Sequence, residues 1–95
     1  MNSEQVIEQL KRIVVEDLDV NLRYEDLNET VPLFEDGLGF DSVVVVELVN
    51  FIERRFKIEL QEEALNMETF KNLQSVARVV CELLAEQQSA RHAQA

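Results

Sequence analysis

Several residue types are nearly missing from this sequence: there is one cysteine, one histidine, one proline, two glycines and no tryptophan in 95 residues. Each scarcity excludes something. A lone Cys81 cannot close an internal disulfide, which points to a reducing compartment and a cytoplasmic location. One cysteine and one histidine, His92 near the end, cannot supply the usual zinc ligand set. Asp17, Asp19 and Asn21 imitate the start of a calcium loop, but Leu22 stands where glycine is required and Asn28 where glutamate is required, so that motif is rejected. Basic residues are outnumbered nineteen to nine, for a formal charge of −10. Nucleic acid needs a basic footprint and an anionic membrane surface repels such a chain, so neither is an expected partner. Basic protein partners suit it better, although a high net charge also simply keeps a small protein soluble. No apolar run is long enough to cross a membrane, and the start does not read as a secretory signal.

What glycine there is sits in one place. Gly37 and Gly39 precede Phe40-Asp41-Ser42, and apolar periodicity begins immediately afterwards. Two glycines in three positions mark a tight change of direction. Asp41 and Ser42 offer side-chain oxygens suited to a helix N-cap, with no Glu or Gln three residues on to complete a capping box. The spacing predicts a helix from Ser42 to about Phe56. At about 100° per residue, Val44, Val45, Leu48, Val49, Phe51, Ile52 and Phe56 share an inward arc. Val43, Val46, Glu47, Asn50, Glu53 and Arg54 fall on the other side. Two valines among polar groups make that outer face a candidate docking surface. The plainer reading is that a run of four valines must leave one or two outside.

The remaining chain reads as scaffold, and no strand pattern competes. Ser3 to Asp17 is expected to form a first helix, capped by Ser3, with Val6, Ile7, Leu10, Ile13, Val14 and Leu18 on one face. From Asp19 to Asp41 no long helical period survives and Pro32 blocks one at the centre. Val20, Leu22, Tyr24, Leu27, Val31, Leu33, Phe34, Leu38 and Phe40 are expected to pin this long loop across the core, with one short turn near Glu25 to Asn28. Lys57 to Leu60 reads as an extended link. Gln61 to Asn66 is expected as a short helix with Leu65 and Met67 turned inward. Asn72 caps a last helix whose buried face is Leu73, Val76, Ala77, Val80, Leu83 and Leu84, with Cys81 at the core edge. Residues 1–86 form one domain, and 87–95 are expected as a disordered tail. The fold class is thus all-α: a four-helix bundle of three longer helices and one short helix, with a long first loop.

No self-sufficient active site is legible. Ser42 has no histidine base, and Glu35-Asp36 reads as solvated loop surface rather than an acid–base pair. The segment Leu33-Phe34-Glu35-Asp36-Gly37-Leu38-Gly39-Phe40-Asp41-Ser42, followed by Val46-Glu47-Leu48, nevertheless strongly resembles acyl carrier proteins. The resemblance runs over about residues 3 to 86. It implies a carrier without enzyme activity, acting as a monomer, in which Ser42 accepts a 4′-phosphopantetheine arm from coenzyme A. A separate phosphopantetheinyl transferase would perform that step, with Asp41 helping it recognise the site. The modified chain would then be a phosphoprotein bearing acyl groups as thioesters. A loading ligase or acyltransferase would charge it. Synthase, reductase or transferase enzymes of fatty-acid, lipid or polyketide synthesis would use the cargo, docking on Val43, Val46, Glu47, Asn50, Glu53 and Arg54.

There are departures from the family pattern. Val43 stands where leucine is usual, Val44 where a polar residue is common, and Arg54-Arg55 where fatty-acid carriers are acidic. The stretch from Leu65 to Thr69 is slightly longer than usual. These differences imply a specialised member whose basic pair weakens docking to basic enzyme patches. Two alternatives stay open: an aminoacyl or peptidyl carrier, including the D-alanyl type, and a non-carrier helical interaction module with Ser42 acting only as a cap.

Overall fold

A computed structural model describes the backbone of residues 2–18, 20–34 and 37–94, and side chains through residue 87. Among the described residues the structure is all-helical, with three α-helices and no strand: α1 (Ser3–Arg12), α2 (Ser42–Phe56) and α3 (Leu73–Gln94). The short third helix is reduced to a single 3-10 turn at Glu62–Ala64. A second 3-10 turn, Tyr24–Asp26, falls where the long loop was expected to coil.

Each α-helix starts on a side-chain cap. Asn2, rather than Ser3, caps α1: its Oδ1 accepts from Gln5 N–H at 2.9 Å and Gln5 Oε1 accepts from Asn2 N–H at 3.0 Å. This reciprocal pair satisfies two otherwise unpaired donors. Asn72 caps α3 as expected, accepting from Ser75 N–H at 2.8 Å. Regular α-helix in the first element ends earlier than expected. At Ile13–Asp17 it widens into a π turn closed by Leu18 N–H donating to Ile13 O at 2.9 Å. The β-branched run Ile13-Val14-Val15 crowds the regular turn. The wider one buries Ile13, Val14 and Leu18 together. At the other end α3 continues to Gln94, past the Glu86 boundary expected for the folded chain. Glu86-Gln87-Gln88 are good helix formers with no glycine or proline to stop them, and Gln87 Nε2 donates to Lys57 O at 2.8 Å.

The core joins all three helices: Val6 and Leu10 from the first with Ile13 and Val14 of the π turn that follows it, Leu48, Ile52 and Phe56 from the second, and Leu73, Val76, Ala77 and Val80 from the third are buried. Leu27, Leu33 and Phe40 complete it from the long loop. Tyr24 is an anchor that fails; it is 42% exposed, with Lys11 Nζ 5.7 Å from its ring centroid. Lys11 also pairs with Glu29 at 3.2 Å. A backbone hydrogen bond at Glu29, then the Lys11 ammonium, hold the Glu29 carboxyl below the ordinary glutamate range.

The described parts of the long loop are ordered by backbone hydrogen bonds. Leu33 N–H donates to Lys71 O at 3.0 Å and Phe40 N–H returns to Leu33 O at 2.7 Å. Leu38 N–H donates to Pro32 O and Gly39 N–H to Phe34 O, each at 2.9 Å. A Cβ at position 37 would collide with the Pro32 carbonyl, and Gly39 has φ +74°. The two glycines are therefore required for close approach and for a left-handed turn respectively. The Glu35-Asp36 pair lies outside the described residues.

Candidate functional site

The loop delivers the chain to α2 so that Asp41 and Ser42 take distinct roles. Asp41 is the N-cap, in extended conformation, and Asp41 Oδ1 accepts from Val44 N–H at 2.9 Å. Ser42 is then the first helical residue, exposed, with its hydroxyl free of any recorded hydrogen bond among the described residues. The cap therefore does not consume the serine. Asp41 leaves the N–H groups of Ser42 and Val43 without a partner among the described residues. Two open donors at a helix N-terminus, beside an exposed hydroxyl, form a site that suits a phosphate ester. The Asp41 carboxylate opposes that field locally.

One flank of Ser42 opens on a groove of about 420 Å³. Its floor is the α2 stripe Val45, Val46, Val49 and Asn50. Its far wall is formed by Leu65, Asn66, Met67 and Phe70, with Phe34 of the long loop beside the serine. None of its described lining residues is charged. Leu65 and Met67, expected inside, are 47% and 68% exposed and stand at this wall. The 3-10 turn is too short to rotate them into the core. Asn66 fixes their backbone instead: its Oδ1 accepts from Thr69 N–H at 2.9 Å and its Nδ2 donates to Glu63 O at 2.6 Å. Sequence reading had no groove. The usable signal was a pair of apolar residues, Leu65 and Met67, flanked by Asn66 and Glu68 in a stretch without helical period.

The outer face of α2 is arranged largely as the periodicity indicated. Val43 is 64% and Val46 59% exposed, and Glu47, Asn50 and Arg54 are exposed. Glu53 differs: it is half-buried, and its Oε2 accepts from Leu60 N–H at 2.8 Å. Arg54 and Arg55 also separate. Arg54 lies 5.8 Å from the Phe51 ring centroid. Arg55 turns to the first helix and its π turn, donating to Gln9 Oε1 at 2.6 Å and pairing with Asp17 at 3.5 Å. The expected basic pair is thus one outward cation and one internal tie. Among the described residues no cluster of His, Cys, Asp or Glu could hold a metal, and no helix is long and apolar enough to cross a membrane.

The chain is similar to known proteins. A family model described as a phosphopantetheine attachment site matches residues 8–80. A protein of Guillardia theta named acyl carrier protein is 33% identical over 87 residues, spanning 90% of this chain and 99% of its own. Proteins of the same name from Wolinella succinogenes and Helicobacter hepaticus are 43% identical over 58 residues and 42% over 69. These alignments cover 61% and 70% of this chain, and 72% and 84% of the relatives.

Proposed function

This chain belongs to the acyl carrier protein family, and from that premise we propose that Ser42 is its attachment residue and that its cargo is an apolar acyl group. Members of the family are carriers rather than enzymes. Their covalent cofactor, 4′-phosphopantetheine, supplies a terminal thiol on which acyl groups are held as thioesters. They work with a phosphopantetheinyl transferase and with enzymes that use the acyl group.

The observation that carries the assignment is the placement of Ser42: exposed, free of the capping role, next to two open backbone donors, and at the mouth of an apolar groove. The donors and the helix N-terminus favour the phosphate. The groove offers an alkyl chain removal from water, worth about 0.8 kcal/mol for each buried methylene. An aminoacyl cargo would bring an ammonium group to a lining with no charged residue among those described, so the described groove favours a fatty-acid, lipid or polyketide-type acyl group over the D-alanyl class. Val43, Val46, Glu47, Asn50 and Arg54 form the face offered to partner enzymes, with Asp41 beside the serine for the transferase. Glu47 suits a basic partner group, and Arg54 asks for an acidic one farther along the helix. The protein acts as a cytoplasmic monomer in this reading.

Incubation with coenzyme A and a broad-specificity transferase, followed by intact mass, tests it. One phosphopantetheine unit is expected on the native chain and none on Ser42→Ala. An unmodified native chain, or a modified variant, would refute the attachment site.

A further inference from the structure

We infer that Glu53 is a positioning residue that closes the cargo groove at the end away from Ser42, and so limits the length of acyl chain the groove can shield. The inference rests on the carrier reading above. The α2 floor of the groove follows one stripe at three- and four-residue spacing: Ser42, Val45 and Val46, then Val49 and Asn50. Glu53 is the next position on that stripe. From Ser42 to Asn50 the helix rises roughly 12 Å, and to Glu53 roughly 16 Å.

Glu53 does not continue the floor. Its carboxylate leaves α2 and crosses to the connection that leads to the opposite wall, where Oε2 accepts from Leu60 N–H at 2.8 Å. Its backbone carbonyl accepts from Ile58 N–H at 3.3 Å. Lys57, with φ 56°, reverses the chain between them. Leu60 itself is buried. One side chain therefore ties the helix to the start of the 61–70 segment, which carries Leu65, Met67 and Phe70. An alkyl chain extending past Asn50 meets a half-buried carboxylate. Stripping water from that group without replacing its hydrogen bonds is unfavourable, so the groove ends there for an apolar cargo.

The experiment loads the native chain, Glu53→Ala and Glu53→Gln with saturated acyl groups of increasing length, from the corresponding acyl coenzymes A and a transferase. Two quantities are read: the rate at which hydroxylamine cleaves the thioester, and hydrogen exchange at the Leu60 amide. In the native protein, shielding should rise with chain length and then level off. Glu53→Ala should shift or abolish that levelling point and speed Leu60 exchange about tenfold. Glu53→Gln retains an acceptor oxygen and should keep both native behaviours. If Glu53→Ala does not fold, Glu53→Asp, one methylene too short to bridge, replaces it with the same expectation. A length profile identical in the native and bridge-breaking proteins overturns the inference while leaving the carrier reading intact. Failure of Ser42 to accept any arm would overturn the carrier reading first, and appears in the mass before any length profile is measured.

Discussion

The segments before and after α2 are both irregular, yet they are held in opposite ways. Residues 20–34 and 37–41 are fixed from inside: Leu27, Leu33 and Phe40 are buried, and backbone hydrogen bonds run from Leu33 to Lys71 and from Phe40 to Leu33. Residues 57–72 add side-chain braces to their short-range backbone turns. Glu53 reaches Leu60, Asn66 brackets Glu63 and Thr69, and Leu65 and Met67 stay outside. Within 57–72, Leu60 and Phe70 are buried in the core and Ile58 packs against it. The first segment presents one serine in one geometry. The second makes a wall whose apolar surface remains available to something other than the protein's own core.

Removing a core anchor from the first segment should have the largest effect. Leu33→Ala should lower stability by about 3 kcal/mol, whereas Leu65→Ala, on the exposed wall, should stay within about 0.5 kcal/mol. Chemical denaturation of both variants checks the contrast, and equal losses would break it. Gly37→Ala comes next, at about 2 kcal/mol, because the added Cβ meets the Pro32 carbonyl. Asp41→Ala should lose about 1 kcal/mol with the α2 cap and leave Ser42 exposed. Retention of full stability would mean that the Val44 hydrogen bond contributes nothing.

Two finer effects sharpen the comparison. Met67→Ser should barely alter unfolding but should reduce shielding of a bound acyl chain, read as faster hydroxylamine cleavage. Lys11→Met should raise the Glu29 pKa toward the ordinary glutamate value, seen by NMR titration, because one of its two stabilising partners is gone. The sign for stability follows from the depressed folded-state pKa. The contribution of Glu29 is present above the ordinary glutamate range and is lost as pH falls through the lowered value. Its side chain is 37% exposed, so solvent screening keeps the effect small.

The same contrast explains what could be read from the chain. The α2 bounds, the Asn72 cap and the inward faces followed from periodicity and capping chemistry, which act over a few residues. Position 37 could be marked as a turn, but the carbonyl that forbids a side chain there belongs to Pro32 and is known only once the loop closes. Apolar residues usually turn inward, which is the expectation for Leu65 and Met67. Their outward position depends on how short the 3-10 turn is and on where Asn66 anchors it. Glu53 and Arg55 looked like surface charges, since nothing local reveals that one reaches Leu60 and the other reaches Gln9 and Asp17. Contacts outside a helix's own repeat were the part that pattern could not supply, whether they span seven positions, as from Glu53 to Leu60, or 46, as from Arg55 to Gln9. They also distinguish the braces from the docking face.

The claim that organises the molecule is that Asp41 does the capping so that Ser42 is free to be modified. Intact mass of the native chain and Ser42→Ala, each incubated with coenzyme A and a transferase verified on another carrier, tests it most directly. The account expects one added phosphopantetheine on the native chain and none on the variant. An unchanged mass for the native chain would contradict it and leave a helical module whose serine is only the first residue of a helix.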